Sequence, residues 1–220
     1  MFKQVILISA FFLLINAKYN GIDVNVWQGD DIDFKKVKKD GKDFVIIRAG
    51  YGIGNVDKNF ETNYKKAKKA GLNVGAYWYS KATGIKHSAA EANSFIETVK
   101  GKQFEYPLFY DMEYKNIFKE GKEEVSRMAQ VFCNILERNK YYCGIFTSKE
   151  YFFDYFTSDA LKKHPIWIAD YKSSSINSDI YDMWQKSSKG KVPGIKGDVN
   201  IDISFVDFSR KIKAEKLNGF

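Results

Sequence analysis

The chain has 220 residues, with 35 lysines and arginines against 27 aspartates and glutamates, giving a formal net charge of +8. With 45% hydrophobic and 16% aromatic residues it can bury one full core, so a single soluble domain is the expectation. The excess charge favours anionic partners, but the lysines gather in helix-face runs such as Lys35-Lys36-Val37-Lys38-Lys39 and Lys65-Lys66-Ala67-Lys68-Lys69, which excludes nucleic acid as the expected partner.

In chain order, residues 1–17 hold a lone Lys3, an apolar stretch from Val5 to Ile15 and a terminal Asn16-Ala17. That stretch is too short for a comfortable membrane span and reads as a secretory signal, so the mature chain is expected to begin near Lys18 and occupy 18–220. No later run is long and apolar enough to insert stably in a membrane. Gly21 to Trp27 alternates as a first strand with Asp23 inside it, and a buried strand acid is costly unless it is paired or used. The acids at 30–33 suit the N-terminus of a lysine-rich helix ending at Gly41. Phe44 to Ala49 is a continuous apolar strand opening into Gly50-Tyr51-Gly52-Ile53-Gly54, which presents one aromatic. A helix over 57–70 is closed by Gly71, and Asn73 to Ser80 forms a third strand ending in Tyr77-Trp78-Tyr79.

After a helix over 86–99 comes Tyr106-Pro107-Leu108-Phe109-Tyr110-Asp111-Met112-Glu113, a buried strand ending in two carboxylates. Phe109, Asp111 and Glu113 share a strand face, which sets the acids roughly 6 to 7 Å apart. That spacing suits work on a glycosidic bond, one carboxyl held protonated while its partner stays ionised. A helix over 123–138 leads to a strand at 142–147, and short helical pieces at 149–154 and 158–163 lead to one at 165–171. Segments 181–185 and 201–205 complete eight strands. Eight strands, the early ones joined by helices, predict an α/β fold: one closed β/α barrel resembling a TIM barrel, with helices reduced in its last quarter.

Sites in such barrels lie at the C-terminal ends of strands, which gathers Asp23, Asp111, Glu113 and one late aspartate at one mouth. Tyr51, Tyr79, Tyr171 and Trp184 fall nearby, and aromatic faces around carboxylates suit a sugar-binding cleft. Cys133 and Cys143 are either a disulfide joining a helix to the next strand or two buried thiols; spacing leaves both open. His87 and His164 are the two histidines, and neither supports a zinc site or a Ser-His-Asp arrangement, so no metal or cofactor is expected.

The chain resembles glycoside hydrolase family 25, the Chalaropsis-type lysozymes, from Gly21 to about Phe205. The resemblance rests on Gly21-Ile22-Asp23-Val24, Trp27-Gln28-Gly29, Arg48-Ala49-Gly50-Tyr51-Gly52, Gly75-Ala76-Tyr77-Trp78-Tyr79, Asp111-Met112-Glu113, Trp167-Ile168-Ala169, Trp184-Gln185 and Val192-Pro193-Gly194-Ile195 in shared order. It implies a lysozyme that cleaves the β-1,4 bond between N-acetylmuramic acid and N-acetylglucosamine of peptidoglycan, with Glu113 as general acid, Asp111 as the partner stabilising positive charge, and Asp23 as the first-strand acid. The chain departs from the pattern where a late Val-Asp is usual, reading Gly197-Asp198-Val199-Asn200-Ile201-Asp202. Asp202 is therefore expected to serve as the fourth acid, with Asp198 as the alternative. The implied setting is a secreted or endolysosomal monomer acting on bacterial walls, against two rivals: a non-catalytic glycan binder on the same barrel, and a chitin-type glycosidase.

Overall fold

A computed structural model describes residues 18–219; the expected signal at 1–17 lies outside the described residues. The elements run β1 (Tyr19–Val24), α1 (Phe34–Lys39), β2 (Phe44–Tyr51), β3 (Asn55–Val56), α2 (Phe60–Lys69), β4 (Asn73–Tyr79), α3 (Ile85–Val99), β5 (Leu108–Asp111) and α4 (Lys122–Arg138). They continue with β6 (Cys143–Ser148), α5 (Lys149–Tyr155), α6 (Ser158–Lys163), β7 (Ile166–Ala169), β8 (Met183–Gly190), β9 (Val199–Ser204) and α7 (Phe208–Glu215).

Each of the eight expected strands is present, and together they close a barrel in the order β1-β2-β4-β5-β6-β7-β8-β9, with β9 returning to β1. Strands β1 through β8 of the barrel are mutually parallel, whereas β9 is antiparallel to both neighbours. With no helix between β7 and β8 or between β8 and β9, the last strand enters by a loop at the mouth and so runs back down the barrel. The two-residue β3 folds back on the end of β2 as a flap outside the barrel.

Alternation along the strands separates two cores. Outward side chains such as Val45, Ile47, Trp78, Tyr110 and Ile168 pack beneath the helices, where Tyr110 stacks on Phe132 of α4 at 3.7 Å. Inward ones, Phe44, Ile46, Phe109, Phe146, Trp167 and Met183, fill the barrel, and Phe208 and Ile212 of α7 close its floor. Glycines on the inner face make room for these rings: a Cβ on Gly144 would lie 2.5 Å from the Phe109 ring, and one on Gly21 would lie 2.3 Å from Phe44. Helix α7 was not foreseen.

Cys133 of α4 and Cys143 of β6 are both buried and joined as a disulfide, with 5.3 Å between their Cα atoms. Helix α2 begins at Phe60, three residues later than its sequence suggests. The Asp57 carboxylate is occupied instead by the backbone N–H of Asn59, at 3.0 Å, and by Arg48 Nε, at 2.8 Å. Another buried acid, Glu91 of α3, accepts hydrogen bonds from Lys81 N and from the hydroxyls of Ser80 and Tyr110, pinning the helix beneath the ends of β4 and β5. Among the described residues no helix is long and apolar enough to cross a membrane.

Candidate active site

At the C-terminal mouth of the parallel strands, a pocket of about 190 Å³ is lined by Asp23 (β1), Arg48 (β2), Tyr77 and Tyr79 (β4), Asp111 and Glu113 (β5 and its extension), Tyr171, Gln185 (β8) and Asn200 (β9). It continues on both sides. Arg48 and Tyr79 also line a wider arm of about 490 Å³ with Trp27, Tyr51, Lys58 and Lys81, while Glu113 and Tyr171 also line a second arm of about 480 Å³ with Lys149, Asp170 and Lys172. The result is one groove across the mouth, with Glu113 where the pocket meets the second arm.

The sequence folds this way because inward positions alternate. Tyr77 and Tyr79 follow the inward Gly75, Asp111 follows Phe109, and Gln185 follows Met183, so each strand carries an apolar residue low in the barrel and a polar one at its rim. Glu113 lies two residues beyond Asp111, just past the end of β5, and is half-buried.

The carboxyls are electrically crowded. Burial, then the charge of Asp23, lifts Glu113 to about 7, and among the described residues nothing hydrogen-bonds to it. Burial, then the charges of Glu113 and Asp23, pushes Asp111 well above the usual carboxylate range, with Arg48 opposing; its Oδ1 has no hydrogen-bond partner among the described residues. Burial lifts Asp23 to about 6 against the lowering effect of hydrogen bonds from Asn200 and Gln185. Gln185 Nε2 donates to Asp23 Oδ2 at 2.6 Å and Asn200 Nδ2 to Oδ1 at 3.0 Å.

Asp23, Asp111, Glu113, Tyr51, Tyr79 and Tyr171 thus come together along the groove, while three expected residues do not. Trp184 points outward into the layer under the helices, where its Nε1 donates to the Asp170 carbonyl at 2.8 Å, because β8 turns Met183 and Gln185 inward and the residue between them out. Asp198 precedes β9 and pairs at the surface with Lys191 at 2.7 Å. Asp202 is inward but sits beneath the groove, fully buried, accepting from Trp167 Nε1 at 2.9 Å. Asn200 itself stands opposite Asp23 at the rim, so no register shift brings an acid there.

Arg48, Tyr77, Gln185 and Trp27 lie in motifs that carry the family resemblance, but sequence reasoning gave none of them a role in the site. Trp27 is 83% exposed on the first arm, and an indole so bare beside a cleft is a signal only structure provides. Arg48 is held by Asp57 and packs its guanidinium 5.7 Å from the Tyr51 ring, with Lys81 4.8 Å from the same ring.

Several acids and aromatic walls at the open end of a closed barrel define the layout of a glycoside hydrolase. The sequence profile of the glycosyl hydrolases family 25 matches residues 22–195, and the chain belongs to that family. It is 31% identical over 183 residues to the autolytic lysozyme of Clostridium acetobutylicum; the match covers 83% of this chain and only 54% of that protein, so the chain spans about half the relative's length. The solved CTP1L endolysin superposes with a TM-score of 0.79 at 26% identity, covering 90% of this chain and 70% of that one. A family 25 glycosyl hydrolase from Bacillus anthracis superposes with a TM-score of 0.74 at 25% identity, covering 89% and 92%.

Proposed function

We propose that this protein is a lysozyme, hydrolysing the β-1,4 bond between N-acetylmuramic acid and N-acetylglucosamine in bacterial peptidoglycan. The observation that carries this reading is Glu113: a carboxyl lifted to about 7, without a hydrogen-bonding partner among the described residues, at a junction of the groove where a glycan would pass. Such a group holds its proton in mildly acidic to neutral solution and can release it to the leaving glycosidic oxygen. Asp23 supplies the negative charge that stabilises positive charge at the anomeric carbon, and Asp111, held protonated beside it, orients the substrate's acetamido group toward that carbon. Tyr51, Tyr79 and Tyr171, with Trp27, offer faces on which sugar rings stack. Kinship to an autolytic lysozyme and to an endolysin supports the choice of substrate.

Within this reading, residues 1–17 direct secretion and are removed, 18–220 form the barrel domain, and the enzyme works as a cofactor-free monomer in a secreted or endolysosomal compartment. The decisive experiment digests purified peptidoglycan and chitin oligomers and analyses the products by reducing-end assay and mass spectrometry. Muropeptides ending in reducing N-acetylmuramic acid are expected. Binding without release of reducing ends returns the assignment to a glycan binder, and cleavage of chitin alone returns it to a chitinase.

A further inference from the structure

The rim position opposite Asp23 holds an amide, and the acid lies one inward position deeper: β9 pairs Asn200 with Asp23 and Asp202 with Gly21 on one side, and Asp202 with Gln185 of β8 on the other. Both oxygens of Asp23 receive uncharged amide donors, Gln185 Nε2 at 2.6 Å and Asn200 Nδ2 at 3.0 Å. The Tyr171 hydroxyl donates to Gln185 Oε1, which turns the NH₂ end of that amide toward Asp23. Asp202 is provisioned differently. It has no exposure, its Oδ1 accepts from Trp167 Nε1 at 2.9 Å, and its Oδ2 receives no donor from the described residues. Two neighbouring buried carboxyls do not both ionise, and the charge settles on the one whose oxygens are both supplied with donors.

We propose that Asn200 is a positioning residue which, with Gln185 and a protonated Asp202, forms an uncharged cradle holding Asp23 as the carboxylate of the pair. The proton sits on Asp202 Oδ2, converting an acceptor without a donor into a third donor to Asp23. The inference rests on the role given above to Asp23 in the cleft, and it moves Asp202 from reacting acid to support. Burial, followed by the charge of Asp23, raises the proton affinity of Asp202, in keeping with that assignment. The other groups facing Asp23 are Tyr77 of β4, Asp111 and Glu113 of β5 and its extension, Tyr171 after β7, and Arg48 of β2, the cation lining the same pocket.

Two measurements test the proposal, and the first needs no activity. Infrared spectra of the folded protein through the neutral range should show a protonated-carboxyl band that disappears in Asp202→Asn and survives in Asp111→Asn; spectra of wild type and Asp202→Asn that match in this region overturn it. The second is the pH profile of Asn200→Asp, which replaces a donor to Asp23 with a third carboxyl. Its kcat at neutral pH should fall by roughly tenfold or more, the loss expected when a hydrogen bond to a charged group is removed, with KM little changed and activity recovering as the pH is lowered. A profile superimposable on wild type overturns the positioning role. Should wild type fail to cleave peptidoglycan, the lysozyme reading falls while the infrared result still decides this one.

Discussion

The lower and upper halves of the barrel interior are built on the same strands and solve opposite problems. Below, Phe44 and Phe109 pack against bare glycines, Met183 and the plug from α7 fill the remaining space, and each ring removed would leave a void. Above, two residues further along the same strands, the inward positions are Asp23, Asp111, Arg48, Tyr77 and Gln185, with perturbed acids and, among the described residues, no hydrogen-bond partner for Asp111 Oδ1. The contrast teaches that stability is concentrated at one end of each strand so that strained electrostatics can be maintained at the other.

The largest test of the division is Glu113→Gln, which should cut kcat by about 10² to 10⁴ in a wall-lysis assay while leaving the fold intact. Comparable activity would show that the upper half is not the reacting end. In the lower half, Phe109→Ala should cost about 3 to 5 kcal/mol in denaturant unfolding, with kcat per folded molecule preserved. Between the cores, Cys133→Ser should cost about 2 to 4 kcal/mol by opening the link from α4 to β6, measured under non-reducing conditions.

Protonation sharpens the comparison. With Asp23 at about 6 and Glu113 at about 7, kcat/KM should peak between those values, falling below as Asp23 gains a proton and above as Glu113 loses one. Asp23→Asn removes the second cause of the Glu113 shift, so the alkaline limb should move to lower pH. Because both acids bind protons more tightly folded than unfolded, their contribution to stability is complete below their ordinary values of 3.8 and 4.5 and is lost as pH rises through about 6 and 7. Thermal melts should therefore show Tm declining over that window, and less steeply in Glu113→Gln. The smallest effect belongs to Asp198, whose pair with Lys191 is exposed and screened by solvent; Asp198→Ala should change neither melting nor lysis measurably.

The eight strands were legible because their apolar runs and alternation are long, and the α6 boundaries, at Ser158 and Lys163, agree with the sequence reading. Asp23, Asp111 and Glu113 were legible because acids within apolar strands demand an explanation. The direction of β9 was not, since a strand's alternation reads the same in either sense. Trp184 was misjudged because an aromatic at a strand end looks alike on either face, and only the partner register decides which way it points. Asp202 was correctly taken to face inward, but depth along a strand was invisible: the same face that brings Asn200 to the rim sinks Asp202 beneath it. Glu91 went unnoticed among helix acids, since its donors come from the segment just after β4 (Ser80 and Lys81) and from Tyr110 of β5.

The reversal of β9 also governs where polypeptide can be attached. Tyr19, where β1 sets out, pairs with Ser204, where β9 finishes, and α7 then tucks under the same closed end. Anchoring the folded domain to a bead or a fusion partner through either flank would leave the opposite side unobstructed, so a tethered version should still admit a polymer as bulky as a sacculus.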